Sequence, residues 1–388
     1  MGLHPSQFDD HIEHYINEHL NADLKSLVFK KSPFNQVTMP ELVTQISGKK
    51  TAQKKIPTWF NTPGIIYPPK RNLEQASSEL TANYKAGLMQ GEFGADITGG
   101  YGIDSFFIAQ NFNAFDYFEH QQALFQLATH NFKQLKSPIK TNNLDGVSGI
   151  QHKQYDWIYC DPDRRSSGQK AFRLNQCEPD LTTTLPLIMR SCKQLLIKTS
   201  PILDINQALK DVPGIQEIHA VAASGELKEL LFVVGHQHVE NPKLYALNLF
   251  SDHVKVFTTT WGNHPKIGYS LPKEFLFIPN AAIMKLQHFG ALGLAYNLHK
   301  LHEHSHFYTA VEPIAFPGRI FKILAVLEYN KATMSSLKGS SALIISRNFP
   351  LSVADLRKRW KLSDQGSSYL IFTTLMDQQK VVLKCELI

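Results

Sequence analysis

The sequence lacks long apolar runs and paired cysteines. Nowhere in its 388 residues do about 18 or more apolar residues follow one another, so we expect no membrane span. The four cysteines are scattered and include no C-x-x-C pair, which argues against a zinc knuckle or a disulfide framework and fits a reducing compartment. The N-terminal stretch has no apolar core of the kind that a signal peptide needs. We therefore expect a cytoplasmic protein.

A strong charge of either sign is also missing. Lysine and arginine exceed aspartate and glutamate by 40 − 34 = 6. This mild basic bias is compatible with RNA or another polyanionic partner, but many cytosolic proteins have it without one. Hydrophobic residues make up 43% of the chain and charged residues 19%, so most of the chain can bury a core and long disordered tracts are not expected.

Hydrophobic periodicity predicts helical stretches at 6–47 and 73–88, separated by a basic connection (48–55) and a loop rich in proline and glycine. From residue 92, short apolar runs alternate with helical stretches. This alternation indicates a doubly wound, mainly parallel α/β sheet with helices on both faces. We expect seven strands, the last two being an antiparallel pair because only a short link joins them. The predicted strands are 94–98, 115–119, 138–143, 157–161, 194–200, 215–223 and 230–235.

After about residue 240, the pattern changes to strands mixed with short helices. It indicates a hairpin and then an α+β region, whose last predicted helix (352–362) has Ser352 as N-cap and Asp355 three residues on. We expect four regions. The first (1–90) is helical, the second (91–240) contains the α/β sheet, and the last two (241–316 and 317–388) are small domains of sheet backed by helices.

A glycine-rich motif, ADITGGYGIDS (95–105), follows the first strand of the predicted sheet. Gly99, Gly100 and Gly102 permit positive φ and let a ligand approach the backbone where a helix begins. A dinucleotide site has similar ingredients, but Asp96 at the strand tip would repel a pyrophosphate and attract the ammonium group of S-adenosylmethionine, which carries no phosphate. We predict that these four residues hold the methionyl part of that cofactor. A glycine-rich turn without a ligand is the alternative.

Polar side chains follow the next two strands as well. Glu119 comes 23 residues after Asp96, at a strand end where a carboxylate can accept hydrogen bonds from ribose hydroxyls. Asn143 and Asp145 follow the third strand and can reach an adenine amino group. The alternatives are a solvated glutamate and turn residues selected for their own backbone hydrogen bonds.

The stretch YDWIYCDPDRRSSG (155–168) places charged residues directly after an apolar strand, at the end where doubly wound sheets bind ligands. Asp161 can accept hydrogen bonds from an exocyclic amine and let charge develop on its nitrogen, while Pro162 fixes the direction of the chain. Arg164 and Arg165 can hold phosphates or stack on a base. Lys198, after the fifth strand, lies beside the same cleft. An Arg–Asp ion-paired loop without a catalytic role is the alternative.

Several long stretches resemble a bacterial family of class I S-adenosylmethionine-dependent methyltransferases. The resemblance covers most of the chain from about residue 55. It implies a Rossmann-like methyltransferase core (91–240) followed by a ferredoxin-like domain (241–316) and an RNA-directed THUMP-like domain (317–388). The matching stretches are KIPTWFNTPGIIYPPKRNLEQASSELTANYKA, DITGGYGIDS, DWIYCDPDRR, LLIKTSPILDI, FIPNAAIMK, SHFYT, FPGRIFKI and RNFPLSVADLRKRWKL.

More distantly, DITGGYGIDS with a downstream Asp161-Pro162 resembles trimethylguanosine synthase and the amino-methyltransferases that carry [DN]-P-P-[YF]. Asp163 and Arg164 depart from that motif. The aromatic residue that stacks on the target base is therefore missing at position 164. Either Arg164 or an aromatic residue elsewhere, such as Phe172, has to replace it.

Two further clusters have less specific patterns. On a strand, His302, His304 and His306 would share one face and suit zinc, but the spacing fixes no acid or cysteine partner, so we expect no metal. The stretch RKRWK (357–361) surrounds Trp360 with four basic residues. That pattern fits either a phosphate backbone or a solvated helix face, and the THUMP-like resemblance favours RNA.

Together, these features predict a methyltransferase that moves a methyl group from S-adenosylmethionine to an exocyclic amine of a base in structured RNA, either ribosomal or transfer RNA. A methyltransferase for a small molecule or a protein is one rival. A catalytically silent RNA-binding protein on the same scaffold is another, and an NAD oxidoreductase is a more distant one. The sequence does not predict the oligomeric state.

Overall fold

The computed structural model describes residues 3–164 and 173–388. The chain divides into two compact units. The first comprises the residues up to Ile218 together with Glu229–Glu240, and the second comprises His219–Lys228 together with Asn241–Ile388. In the described part of the chain, no helix combines the length and the apolar character that crossing a membrane requires.

The first part of the chain begins with six helices and then alternates strands with helices. Its elements are α1 (Asp10–Glu18), α2 (Leu24–Leu27), α3 (Met39–Lys55), α4 (Pro57–Asn61), α5 (Lys70–Gln75), α6 (Glu79–Leu88), β1 (Gly91–Asp96), α7 (Ile103–Ile108), β2 (Phe112–Phe118), α8 (Gln122–Gln134), β3 (Lys140–Asn142), α9 (Gly146–Gly149), β4 (Tyr155–Cys160), β5 (Asp163–Arg164), β6 (Cys177–Glu178), α10 (Leu181–Arg190), β7 (Cys192–Thr199), α11 (Ile205–Asp211), β8 (Ile215–Ala223) and β9 (Glu226–Gly235).

The rest of the chain is mainly strands, with four short helices. Its elements are β10 (Lys243–Leu249), β11 (Val254–Thr260), β12 (Phe275–Pro279), α12 (Ala281–Leu286), α13 (Phe289–Ala295), β13 (His299–Lys300), β14 (Tyr308–Ala310), β15 (Gly318–Glu328), α14 (Lys331–Ser336), β16 (Leu343–Ser346), α15 (Val353–Trp360), β17 (Ser368–Thr374) and β18 (Lys380–Leu387).

The larger sheet has the strand order β11-β10-β8-β9-β7-β4-β1-β2-β3. Strands β3, β2, β1, β4 and β7 run parallel to one another, and β9 is antiparallel to β7. Parallel neighbours need crossover connections, and the helices α7 to α10 occupy them. The doubly wound α/β fold is confirmed, but the sheet has nine strands and not seven, because the predicted hairpin β10–β11 extends it.

The N-terminal region is helical, with boundaries that differ from the predicted ones. The helix expected at 6–47 is divided into α1, α2 and the first half of α3, while the supposed connection at 48–55 is the second half of α3. Lysine is a good helix former, and a capping box of Thr38 and Glu41 starts this helix. The helix expected at 73–88 is two helices, the second of which is capped by Ser78.

Buried amide side chains hold the loop between α4 and α5 in place. Asn131 of α8 is fully buried. Its Oδ1 accepts the N–H of Ile66 at 3.0 Å, and its Nδ2 donates to the Ile66 carbonyl at 2.9 Å. Gln45 of α3 makes the same pair of bonds with the backbone of Tyr67. Because these bonds satisfy backbone groups away from water, the loop is fixed between α3 and α8.

The smaller sheet, in the second unit, has the strand order β13-β14-β12-β15-β18-β17-β16. Its pairs are antiparallel except for β16 and β17, which are parallel. One apolar cluster includes Phe321, and another joins Leu356 of α15 to Phe372. The predicted cap of α15 is confirmed, since the Ser352 hydroxyl accepts the N–H of Asp355 at 3.1 Å.

The histidines at 302–306 lie in a turn between β13 and β14 and not on a strand, so they do not share a strand face. His306 has a φ of 52°, and its ring stacks on Phe289 with the centroids 3.8 Å apart. Among residues 3–164 and 173–388, no three His, Cys, Asp or Glu side chains form a group able to hold a metal ion.

Candidate functional site

Four parallel strands of the first unit end at one edge of the larger sheet. Strand β1 ends at Asp96, and Glu119, Asn143 and Asp161 come directly after β2, β3 and β4. Because neighbouring parallel strands point the same way, the residues at their carboxyl ends gather along one edge. The structure therefore brings together the residues that the sequence predicted for a cofactor and for catalysis.

The three glycines of the loop after β1 have different surroundings. A Cβ at Gly99 would lie 2.1 Å from the ring of Tyr117, and one at Gly102 would lie 2.5 Å from the ring of Phe132. Both positions need glycine because aromatic rings pack against them. Gly100 has a φ of +56°, and a Cβ there would meet no atom closer than 3.7 Å. The backbone at Gly100 thus borders open space that a ligand can approach.

Asp96 is buried and stabilises the turn that follows β1. Its Oδ1 accepts the N–H of Thr98 at 2.9 Å and the Thr98 hydroxyl at 3.2 Å. Its Oδ2 accepts the hydroxyl of Ser105 at 2.5 Å. Burial raises the pKa of Asp96 to about 7, although these hydrogen bonds oppose the shift. The carboxyl group is therefore close to half ionised at neutral pH.

The raised pKa predicts how stability changes with pH. A carboxyl group that holds its proton more tightly when folded favours folding at low pH, and this contribution is lost as the pH rises from about 4 to about 7. Between pH 5 and pH 8, the wild-type protein should lose about 2–3 kcal/mol relative to Asp96→Asn. Urea unfolding of both proteins at several pH values measures the difference. Parallel stability curves would show that Asp96 has an ordinary pKa.

Glu119 holds the glycine loop from the neighbouring strand end. Its Oε2 accepts the N–H of Gly100 at 2.9 Å, and its Oε1 accepts the N–H of Gln121 at 2.7 Å. The side-chain amide of Asn143 donates to the Glu119 carbonyl at 2.7 Å. The residues predicted for the ribose and for the adenine are therefore in direct contact.

The loop after β3 packs closely on the end of β1. A Cβ at Gly146 would lie 2.1 Å from the carbonyl oxygen of Ile97, so this glycine permits the close approach. Asp145 caps α9 by accepting the N–H of Ser148 at 2.8 Å. Leu144, just before it, is 56% exposed. An apolar side chain left in solvent beside Asn143 is suited to cover one face of a planar ring.

Asp161 is tied to the glycine loop and to β7. Its N–H donates to the hydroxyl of Thr98 at 2.7 Å, so Thr98 connects the ends of β1 and β4. Its Oδ2 forms an ion pair with Nζ of Lys198. The Asp161 side chain is still 37% exposed, while Pro162 is buried. The structure thus places Lys198 on the carboxylate of Asp161.

A buried charged cluster lies behind this ion pair. Lys85 of α6 is fully buried, and its Nζ lies 2.8 Å from Oε1 and 2.9 Å from Oε2 of Glu229. The same Nζ lies 3.3 Å from Oδ1 of Asp104, whose Oδ2 lies 3.8 Å from Nζ of Lys198. Asp104 is thus shared by two lysines, and the cluster links α6, the glycine motif, β7 and β9.

Two hydroxyl groups complete the surroundings of Asp104. Its Oδ2 accepts hydrogen bonds from Ser77 and from Tyr159, both at 2.8 Å. Ser77 and Lys85 both belong to the N-terminal region that the sequence analysis left without a role. That region therefore contributes directly to the electrostatics of the site.

The pKa values of the cluster follow from burial and from the neighbouring charges. Burial raises the pKa of Asp104, but Lys85 and Lys198 outweigh it and hold that pKa below its ordinary value. Burial lowers the pKa of Lys198, but the carboxylates of Asp161 and Asp104 outweigh it and raise that pKa. Burial raises the pKa of Glu229 against the effect of Lys85. When Asp104, Glu229 and Asp161 are ionised, their three negative charges face the two positive charges of Lys85 and Lys198. The net charge of these five side chains is then 2 − 3 = −1.

The sequence analysis missed Lys85, Asp104 and Glu229, although each has a recognisable pattern. Lys85 lies on the face of α6 that also buries Thr81 and Ala82. Glu229 directly precedes the apolar run of β9, and Asp104 lies inside the glycine motif. A charged residue on an otherwise buried face is unfavourable unless it is paired, so such positions indicate a buried ion pair.

Part of the predicted substrate side lies outside the described residues, namely Arg165 and Phe172. The backbone of Arg164 belongs to β5, where it pairs with Cys177 of β6. The contacts with phosphates or with a base that were suggested for Arg164, Arg165 and Phe172 stay a prediction.

Comparison with known proteins identifies two domains by their family models and the overall fold by a solved structure. Residues 275–317 match the family model of a ferredoxin-like domain, and residues 318–387 match that of a THUMP domain-like family. The presence of a ferredoxin-like and a THUMP-like domain is confirmed, while the bounds predicted for them, 241–316 and 317–388, stay a prediction. No curated protein sequence matches the chain.

A crystal structure described as a putative methyltransferase from Porphyromonas gingivalis W83 resembles the chain over its whole length. The TM-score is 0.87 at 28% sequence identity, covering 98% of this chain and 99% of that one. The chain therefore has a methyltransferase fold with ferredoxin-like and THUMP-like domains. This confirms the fold class expected from the sequence.

Other structures resemble the methyltransferase fold over shorter stretches. A putative class I S-adenosylmethionine-dependent methyltransferase from Listeria monocytogenes has a TM-score of 0.37 and 10% identity, covering 62% of this chain and 94% of that one. TrmK from M. capricolum, in complex with S-adenosyl-homocysteine, has a TM-score of 0.32 and 14% identity, covering 41% of this chain and 70% of that one.

Proposed function

We propose that the protein is a cytoplasmic S-adenosylmethionine-dependent methyltransferase that methylates an exocyclic amine of an RNA base. The observation that carries the proposal is the open backbone at Gly100, with Asp96, Glu119 and Asp161 around it at the carboxyl ends of adjacent strands. A negatively charged edge favours a cationic cofactor and disfavours a pyrophosphate. This argues against the NAD alternative.

The residues at this edge suit the cofactor. Gly100 leaves room beside the loop, and the carboxylate of Glu119 can accept hydrogen bonds from ribose hydroxyls. Leu144 can cover the adenine, with Asn143 and Asp145 beside it. Asp96, whose carboxyl group is close to half ionised at neutral pH, attracts an ammonium group in its ionised form. When bound, S-adenosylmethionine supplies a methyl group on a positively charged sulfur.

Asp161 is suited to act on the acceptor. The lone pair of an exocyclic amine is delocalised into the ring of the base, so the amine is a poor nucleophile. A carboxylate that accepts a hydrogen bond from the amine N–H stabilises the positive charge that develops on the nitrogen during methyl transfer. The same carboxylate then takes the proton that the nitrogen loses. Lys198 holds Oδ2 of Asp161 and leaves Oδ1 for the acceptor. We therefore assign Asp161 as the catalytic residue and Lys198 as a positioning residue.

Support for RNA as the acceptor comes from the C-terminal domains and from charge. Residues 318–387 match a THUMP domain-like family, and the chain has a net charge of +6. In α15, Lys358 and Arg359 are exposed, whereas Arg357 pairs with Asp364 at 2.5 Å. The rivals are a small-molecule or protein acceptor and a silent RNA-binding protein.

Replacing Glu119 by glutamine tests the cofactor site. The amide oxygen can still accept the N–H of Gly100, but the amide nitrogen cannot accept the N–H of Gln121 as the carboxylate does, and the negative charge facing the ribose is lost. We expect S-adenosylmethionine to bind about 10-fold more weakly, since a hydrogen bond to a charged group contributes about 1.5–3 kcal/mol. Calorimetric titration measures the affinity. The exposed Glu240→Gln is the matched control, and equal affinities for both variants would exclude Glu119 from the site.

A labelling experiment separates the acceptor classes. Purified protein and methyl-tritiated S-adenosylmethionine are incubated with unmodified RNA, with protein, and with small metabolites as separate pools. The proposal predicts that label enters the RNA pool and that ribonuclease treatment releases this label. Label in protein or in small molecules would identify one of the rivals. Bound cofactor with no label in any pool would favour the silent RNA-binding protein.

A further inference from the structure

A cavity of about 990 Å³ lies within the second unit, and no residue of the candidate site lines it. Several of the unit's segments line it, including the start of β15, the residue directly after β16 and the segment that joins β12 to α12. Four basic side chains face it: Lys255, Lys285, Arg319 and Arg347. Among the described residues that line it, Glu226 is the one acidic side chain, and it pairs with Lys228 at 2.6 Å.

The two arginines lack acidic partners within the described part of the chain. Arg347 places Nη1 3.8 Å from the sulfur of Met284, and its guanidinium lies 5.4 Å from the centre of the Phe307 ring. Arg319 lies over the ring of Phe321 at 5.6 Å. Rings and a thioether orient these guanidinium groups without neutralising their charge.

The backbone fixes both arginines at the cavity. A Cβ at Gly318 would lie 2.1 Å from the carbonyl oxygen of Ile278, so glycine permits the close pairing of β15 with β12 that places Arg319. The N–H of Arg347 donates to the carbonyl of Phe372 at 3.1 Å. Burial and the charge of Arg319 together lower the pKa of Arg347. Two like charges thus face one space, an arrangement that a bound anion would relieve.

The rest of the lining is apolar. Ile278, Met284, Ile320 and Leu387 all contribute to it, so an inorganic anion alone would leave this surface uncovered. Two guanidinium forks match a phosphate dianion, which can neutralise both charges, whereas a carboxylate neutralises one. We propose that the cavity binds a phosphate ester whose phosphate contacts Arg319 and Arg347 and whose organic part covers the apolar lining. A free nucleotide and a nucleotide at the end of an RNA chain share this chemistry.

Binding measurements on the full chain test the proposal. The probes are adenosine monophosphate, a single-stranded oligoribonucleotide with a terminal phosphate, and the same oligonucleotide without it. The proteins are the wild type, Arg319→Gln, Arg347→Gln and the control Arg190→Gln, which changes an exposed arginine of α10. We expect each cavity variant to lose about 10-fold or more of the affinity that the control keeps, and we expect binding to weaken with added salt.

The outcomes distinguish the sources of the phosphate. Binding of the mononucleotide supports a free ligand, and binding of the phosphorylated oligonucleotide alone supports an RNA end. Arg319 is exposed, so Arg319→Gln is informative even if Arg347→Gln folds poorly. The proposal is wrong if the wild type binds none of the probes or if the cavity variants bind like Arg190→Gln. Because Asp161 and the residues predicted for the cofactor do not line this cavity, cofactor binding should be unchanged in both cavity variants whether or not methyl transfer is found.

Discussion

Methyl transfer by Asp161→Asn should be slower than wild type by about 10–100-fold, while the affinity for S-adenosylmethionine stays within about twofold. The amide has the shape of the carboxylate and keeps the backbone bond to Thr98. It loses the negative charge that stabilises the nitrogen and takes its proton. Asp161→Ala removes the acceptor atom entirely and should cost about 10²–10³-fold. Single-turnover label transfer gives the rate, and calorimetry gives the affinity.

Asp10→Asn, which neutralises an exposed carboxylate in α1, is the matched control and should behave like the wild type. Lys198→Met should share part of the defect, because it releases Oδ2 of Asp161 without changing the catalytic carboxylate. Equal losses of rate and of cofactor affinity in Asp161→Asn would mean that the residue is structural. The ion pair with Lys198 would then be its whole role.

Lys85→Met should destabilise the first unit by about 3–5 kcal/mol, because it leaves Glu229 buried beside Asp104 without a counter-charge. A loss of this size lowers the melting temperature by about 6–20 °C for a unit of this length. Thermal and urea unfolding measure it. Since burial already raises the pKa of Glu229, the loss should shrink at low pH, where this carboxyl group takes up a proton.

The double variant Lys85→Met with Glu229→Gln should recover part of the stability, since no unpaired charge remains between the two positions. Lys54→Met removes an exposed lysine of α3 and should change stability by less than about 0.5 kcal/mol. If Lys85→Met were as stable as Lys54→Met, the buried cluster would contribute nothing to the fold. Its position behind the ion pair of Asp161 and Lys198 would then need another explanation.

The sequence predicted the alternation of strands and helices well because the period of the apolar residues changes at residue 92 and again near 240. It predicted the N-terminal boundaries less well. The lysine-rich half of α3 looked like a connection, since exposed helix and polar linker have the same composition and only the cap at Thr38 tells them apart. The extension of the larger sheet by β10 depends on its pairing with another segment of the chain. The local periodicity of apolar residues carries no information about such pairing.

The candidate site was predictable where one motif contains both the turn and its polar group, as at Asp96 and Gly100, and where a polar residue directly follows an apolar strand, as at Glu119. Lys85 and Glu229 are 144 residues apart, and nothing local pairs one with the other. Gly99 and Gly102 show a second limit. A glycine motif looks the same whether a ligand or an aromatic ring approaches the backbone, and only the packing of Tyr117 and Phe132 distinguishes the two cases.

The most direct test of the account is methyl transfer to defined RNA. The purified full chain is incubated with methyl-tritiated S-adenosylmethionine and with unmodified, transcribed ribosomal and transfer RNAs, with Asp161→Ala in parallel. The account predicts that label enters one of these RNAs with the wild type and is lost with Asp161→Ala, although both proteins bind the cofactor equally. Label that enters RNA equally with both proteins would contradict the role of Asp161, and a wild-type protein that does not bind S-adenosylmethionine would contradict the proposed function itself.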